Sequence, residues 1–317
     1  MILAKAPLRV SFIGGGSDIP EHYMRWGGDV ISTAIDKFVY VAVNKTPHNH
    51  IKVSYSEQEL VTDVKEIKND IVRNALIYFN ISSGIDISTF ADIPTIGTGL
   101  AGSSAFTCAL VSALFKFKGY DVNEYNIAEL ACHIEINMCG WKIGKQDQYA
   151  SAFGGMNHLR FHGELNERPG RVSVNRIDPN HIDRHMVLIP TNIQRHASEI
   201  LENIDFDRKA AVIREMAHLA SLHSVYLPNL ETYGEILNEG WKLKKEMSDG
   251  ITNPEIDAIY DRCMKADAVG CKLLGAGGGG YMLALAGYTS KIHKEFHDRV
   301  CLDVKIAKEG AKVVYSD

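Results

Sequence analysis

Three segments far apart in this 317-residue chain carry residue types suited to holding phosphate: 5–18 (KAPLRVSFIGGGSD), 94–105 (PTIGTGLAGSSA) and 272–281 (KLLGAGGGGY). In the middle segment the glycines run directly into Ser103, Ser104 and the apolar stretch FTCALVSALFKF, long enough for about four helical turns. Such a junction suits an anion. First-turn backbone N–H groups are unpaired, the macrodipole is positive there, and glycine admits close approach. Taken alone, serine capping of a core helix is the simpler reading of Ser103 and Ser104.

The loop lacks the Gly-Lys-Ser ending of a Walker loop, since Ser103 follows Gly102, and no ribose-binding acid stands at the end of a second parallel strand, as a dinucleotide fingerprint requires. It resembles the phosphate loop of the GHMP kinases, whose usual pattern is Pro-x-x-x-Gly-Leu-Gly-Ser-Ser-Ala. The other two segments stand in that family's order, so the resemblance spans nearly the whole chain. One departure is Ala101, which reads as an inserted residue between Leu100 and Gly102. Within the family the opening segment is similar to that of the D-glycero-D-manno-heptose 7-phosphate kinases, with Gly14-Gly15-Gly16 where galactokinases carry Glu-His. Removing two bulky polar side chains opens space and exposes backbone donors, which a larger or already phosphorylated sugar can use.

The resemblance implies an α+β fold of two domains, the N-terminal half like ribosomal protein S5 domain 2 and the C-terminal half ferredoxin-like, with the active site between them. It implies ATP and Mg2+ as cofactors and a small-molecule sugar phosphate as substrate. The nucleotide would be held by Gly97, Gly99, Leu100, Ala101, Gly102, Ser103, Ser104 and Ala105. Asp147, between Gln146 and Gln148 in GWKIGKQDQYASAFGG, matches the family's catalytic aspartate, the acceptor of the sugar hydroxyl's proton. Without that context an N-cap or surface aspartate is the simpler reading. Arg9 matches a position beside this aspartate, where a guanidinium could steady the carboxylate or the transferring phosphoryl group; Lys5 is a weaker alternative. Ser104 and Glu135 match the magnesium ligands, although Glu135 reads equally well as part of a solvated helix face.

On the sugar side the resemblance points to Gly15, Gly16, Ser17 and Asp18, the last able to accept two hydroxyls. Gly277 and Gly278 belong to the third motif, which by itself reads as a hairpin turn as readily. For a phosphate on the acceptor the candidates are Arg195 and His196, with Lys272 second. The expected activity is phosphorylation of the anomeric hydroxyl of the heptose 7-phosphate to the 1,7-bisphosphate, feeding a nucleotide-activated heptose for surface polysaccharide. Alternatives are a 1-kinase of an unphosphorylated fucose- or galactose-type sugar and a non-catalytic binding relative, for which the inserted Ala101 is the best support.

These residues need elements to position them. Stretches 8–13, 29–34, 38–43, 51–55 and 85–91 are rich in β-branched and aromatic residues and predict strands; 70–79, 103–117 and 123–137 show helical apolar spacing. Residues 161–171 (FHGELNERPGR) predict a linker or excursion. Beyond it, 186–191, 281–286 and 312–315 predict strands, and 207–226, 230–247 and 255–268 predict helices. We place a domain boundary near 175, giving 1–175 with the phosphate loop and 176–317. Order alone licenses only α+β in two layers.

Composition agrees. The apolar and charged fractions, 45% and 23%, are those of a globular protein with room for two cores. A formal charge of −5 offers no general attraction to nucleic acid or an anionic membrane, so any phosphate site must be built locally. The six cysteines include no Cys-x-x-Cys pair and indicate neither zinc nor a disulfide framework. No signal-like start or membrane span is read, and a cytoplasmic location is expected, with a homodimer left open.

Overall fold

A computed structural model describes residues 1–179, 182–193, 205–225, 227 and 229–317. Its first sheet grows from two long antiparallel strands, β1 (Ile2–Ile13) and β2 (Gly28–Lys45). Eight consecutive residues of β1, from Ala6 to Ile13, are buried, because helices cover the sheet there on both faces. Sequence patterning suggests two strands within 29–43; the structure has one. Its first part pairs with β6 (Met156–Phe161) and its second with β5 (Ile85–Ala91). The full order is β12-β1-β2-β5-β3-β4, where β3 is Ile51–Ser54, β4 is Gln58–Val61 and β12 is Lys312–Ser316, and β6 carries β7 (Val172–Ile177) beside it. Residues 161–171 close the β6–β7 hairpin, with the His162 N–H bonding the Arg171 carbonyl at 3.0 Å, so the stretch is an excursion of the sheet.

Helices of the first half pack around this sheet: α1 (Pro20–Trp26), α2 (Asp70–Tyr78), α3 (Gly102–Phe117), α4 (Glu124–Cys132) and α5 (Gln146–Phe153). α3 is buried along most of its length, which its nearly unbroken apolar sequence requires. An Asn123–Asn126 capping box starts α4. It does not run on as a regular helix to 137; His133–Met138 form a widened π-type turn, a device that recurs at functional sites.

A second sheet, ordered β11-β8-β10-β9, holds β8 (Met186–Pro190), β9 (Ala268–Leu273), β10 (Tyr281–Ala286) and β11 (Leu302–Val304), all antiparallel. With it come α6 (Phe206–His223), α7 (Leu230–Lys245), α8 (Pro254–Lys265) and α9 (Thr289–Glu295). Asn229 and Asn253 cap α7 and α8 through their side chains. The helix expected to reach 268 stops at Lys265, and Asp267 turns the chain in the left-handed region at φ 61°, so that Ala268 opens β9. α6 and α7 pack on β1, and α7, which also covers β9, joins the two sheets. Glycine lets α7 come close to β1, since a methyl on Gly240 would stand 3.2 Å from the Phe12 carbonyl oxygen.

Candidate active site

A cleft of about 1030 Å³ is lined by all three glycine-rich segments together with the 140–147 stretch and the end of α7. The middle segment reaches it through alternating left-handed residues, Gly97 (φ 67°), Gly99 (φ 75°) and Ala101 (φ 63°, ψ 38°). Ala101 is the N-cap residue of α3. Serine capping is therefore not what Ser103 and Ser104 do: both lie inside the first turn, and no side chain caps it. The uncapped turn opens on the cleft through Ala101, Gly102, Ser103 and Ser104, with Gly97 and Gly99 just before it. Leu100 and Ala105 are fully buried behind the loop and pack it in place.

The third segment is both a hairpin and a cleft wall. It connects β9 to β10, and the Tyr281 N–H donates to the Thr98 carbonyl at 3.0 Å. Gly275 lies so close that a methyl on it would stand 2.5 Å from Gly99 Cα. Gly277 lines the cleft, whereas Gly278 turns its N–H to the Ile251 carbonyl at 2.8 Å. Gly99→Ala is a direct test of this packing, because it adds a methyl 2.6 Å from the Leu274 oxygen at a positive φ. We expect a loss of about 2 kcal/mol or more, read as a lowered urea midpoint at unchanged slope. An unchanged midpoint would contradict the close contact between the segments.

Arg9 is aimed by an irregularity in β1. The pairing of β1 with β2 shifts between Pro7 and Arg9, and the Arg9 N–H bonds the Leu100 carbonyl of the phosphate-type loop at 3.1 Å. Its guanidinium, itself buried, donates to the Gly99 carbonyl at 2.5 Å and to both oxygens of Asp147, Nε to Oδ1 at 2.7 Å and Nη2 to Oδ2 at 2.8 Å. This bidentate fork fixes the plane of the carboxylate, while Asp147 keeps 27% of its side-chain surface open. Lys5 is elsewhere, its ammonium 4.0 Å from the centre of the Phe38 ring.

The two glutamines flanking Asp147 each grip a second, buried carboxylate. Gln146 gives Asp18 its backbone N–H (3.1 Å) and its side-chain amide (3.3 Å), and the Gly16 N–H adds a third bond at 3.0 Å. Burial above all, with the charge of Asp147 adding to it, pushes the Asp18 carboxyl up to about 6 against the pull of its backbone donors. Ser17 is wholly buried, and its hydroxyl serves the Gly14 and Asp29 carbonyls at 2.7 and 3.1 Å, which makes it a brace of the loop. Gly15, Gly16 and Asp18 face the cleft.

Gln148, on the other side, donates to Glu135, whose oxygens also accept from Ser104 (2.8 Å) and Thr107 (2.8 Å). Glu135 is entirely buried, so the solvated-face reading does not hold; the π-type turn rotates it inward. Burial first raises its carboxyl to about 7, and among the described residues no cation pairs with it. Hard oxygen donors in a site short of positive charge fit a divalent cation of the magnesium type, and Ser104 lies between Glu135 and the cleft. Gln146, Gln148 and Thr107 escaped the sequence reading; the pair of glutamines around Asp147 was its only available signal.

Asp18 and Glu135 bind a proton more tightly in the folded chain than their ordinary values of 3.8 and 4.5 allow. Their contribution thus favours folding fully below about pH 4 and is lost as pH rises to about 6 for Asp18 and 7 for Glu135. For Asp18 the loss is on the order of 3 kcal/mol. Denaturation across pH should show Asp18→Asn gaining on the parent chain over this window; parallel stability curves would contradict the buried, proton-holding environment.

Lys272 lines the cleft, buried, with its ammonium on the Ser11 and Phe12 carbonyls at 2.9 Å each. Arg195 and His196 lie outside the described residues. No helix among the described residues is long and apolar enough to cross a membrane.

Residues 63–155 match the GHMP kinases N terminal domain and residues 220–296 the GHMP kinases C terminal domain. The chain is 26% identical to the D-glycero-alpha-D-manno-heptose 7-phosphate kinase of Campylobacter jejuni, over 98% of both chains. It is 27% identical to the bifunctional fucokinase/GDP-fucose pyrophosphorylase of Arabidopsis thaliana, over 95% of this chain and 31% of that one. Among solved structures it resembles a D-glycero-D-manno-heptose 1-phosphate kinase from Bacteriodes thetaiotaomicron, with a TM-score of 0.78 at 21% identity over the whole of both chains. With both family domains in order and the glycine-rich loop, Arg9 and Asp147 assembled in one cleft, the chain belongs to the GHMP kinase family of phosphotransferases.

Proposed function

We propose that this protein is an ATP-dependent sugar kinase that phosphorylates the anomeric hydroxyl of D-glycero-D-manno-heptose 7-phosphate, giving the 1,7-bisphosphate and ADP. The observation that carries the reading is the Arg9–Asp147 fork, set where the 97–105 loop, the 14–18 loop and the 275–277 turn meet. In this reading the cleft runs between a first domain, 1–175, and a second, 176–317, with β12 returning to the first sheet. Whole-length similarity to a heptose 7-phosphate kinase supports the choice of acceptor.

The nucleotide's phosphates rest on the open first turn of α3 and the left-handed loop before it. Asp147 accepts the hydrogen of the anomeric hydroxyl, orients its oxygen on the γ-phosphorus and takes the proton as the new P–O bond forms and the bond to ADP breaks. Arg9 holds Asp147 in register and presents positive charge to the oxygens of the transferring group. Asp18, fixed by Gln146 and Gly16, takes further sugar hydroxyls. Ser104 and Glu135 would hold magnesium, which when bound neutralises the β- and γ-phosphate oxygens.

ADP release with magnesium and ATP across heptose 7-phosphate, free heptose, fucose, galactose and mannose tests the assignment. Turnover confined to heptose 7-phosphate is expected. Preference for a free sugar would favour the second reading, a 1-kinase of an unphosphorylated sugar, which the similarity to the plant fucokinase supports.

A further inference from the structure

At the floor of the cleft a second amine stands beside Arg9 and Lys272. Lys244, in the last turn of α7, is only 9% exposed, yet it lines the cleft. Its ammonium donates to the Leu273 carbonyl at 3.4 Å and to the Gly275 carbonyl, both on the segment that packs against Gly99. An ammonium has three donors, so one remains. No carboxylate pairs with Lys244 among the described residues. The charged groups around it are Arg9 from β1 and Lys272 from β9, while the nearby acids are engaged, Asp147 by Arg9 and Asp18 by Gln146.

Three buried cations thus converge where, among the described residues, the only carboxylate paired to any of them is Asp147, on Arg9. Such a cluster is unfavourable without an anion beside it: burial, then the charge of Arg9, lowers the Lys244 amine to about 7. An arriving dianion reverses that balance. A lysine kept only to brace a loop needs no place on the cleft wall and no position beside an arginine that repels it.

We propose that Lys244 is a phosphoryl-contact residue, donating its remaining N–H to the phosphoryl group that approaches Arg9, either the one in transfer from ATP or the one the acceptor already carries. This rests on the kinase reading above. Above about pH 7 Lys244 then takes up a proton as the ligand binds, and its charge meets that of the phosphoryl group.

Calorimetry at pH 8, where phosphate monoesters are already dianionic, separates the sources. A non-hydrolysable ATP analogue with magnesium, and heptose 7-phosphate alone, are each titrated in two buffers of different ionisation enthalpy. Proton uptake with one of them in the parent protein, absent from Lys244→Met and Lys244→Gln, is the expected result. Uptake with the analogue assigns the transferring group; uptake with the sugar phosphate assigns the acceptor's own. Binding without uptake overturns the proposal, and failure of both ligands to bind overturns the kinase reading with it.

Turnover gives the second readout. Both variants should lose roughly 10- to 100-fold, the scale of one charged hydrogen bond in a dry site, in kcat for the transferring group or in the KM of heptose 7-phosphate for the acceptor's phosphate. Lys244→Gln keeps an N–H for the Leu273 and Gly275 carbonyls, so recovery of full activity in that variant would make Lys244 a structural amine and overturn the assignment.

Discussion

Asp147→Asn is expected to lower kcat by about 100- to 10,000-fold with little change in the KM for ATP. The carboxylate is held at both oxygens by one guanidinium, 2.7 and 2.8 Å away, so its orientation is fixed before any substrate arrives. An amide in its place turns an N–H toward the Arg9 fork and cannot take a proton. Two losses are combined, the acceptor for the hydroxyl proton and one arm of the fork. Single-turnover measurement with ATP separates them from product release. A variant within a few-fold of the parent would move the catalytic burden to Arg9 and to positioning, which a loose phosphoryl-transfer transition state allows.

Arg9→Met should cost roughly 100- to 1,000-fold in kcat, the scale of removing one electrostatic contact from a preorganised site. The Arg9 guanidinium makes three bonds, one N–H to the Gly99 carbonyl and two to Asp147. Lysine cannot reproduce them, having a single compact charge where the site is built for a planar fork, so Arg9→Lys should recover only part of the loss. Because the two residues act as a unit, the double variant should be little worse than Asp147→Asn alone. Additive losses would show that Arg9 acts on the phosphoryl group independently of Asp147.

Local signals in the sequence reached far into this fold. The β-branched run of β5 and the apolar stretch of α3 stand where their patterns put them, whereas tertiary pairing extends β1 back to Ile2 and joins the two runs within 29–43 into the single strand β2. The glycine segments were legible because left-handed backbone and close approach demand glycine; Gly99 and Gly275 show both demands at once. Ala101 was harder, since nothing in an inserted alanine announces a left-handed N-cap, and what supported a silent relative is a residue that the loop accommodates.

What stayed hidden depends on distance along the chain. α5 is eight residues with a weak apolar pattern, so Asp147 could be placed only by resemblance. The shift in β1 that hands the Arg9 N–H to Leu100 is set by a partner 91 residues away, and Glu135 is surrounded by Ser104, Thr107 and Gln148 from two other helices. Lys244 lies in the helix predicted over 230–247, where WKLKKEM offers nothing to set it apart from Lys242 and Lys245. It is buried because Gly240, one turn earlier, lets α7 press against Phe12.

Phosphorus NMR of the product made from heptose 7-phosphate, ATP and magnesium tests the central claim most directly. Transfer to the anomeric oxygen predicts a second sugar phosphorus coupled to the anomeric proton, formed in step with ADP and absent with Asp147→Asn. A new phosphate on another carbon, or ADP accompanied only by inorganic phosphate, would contradict it.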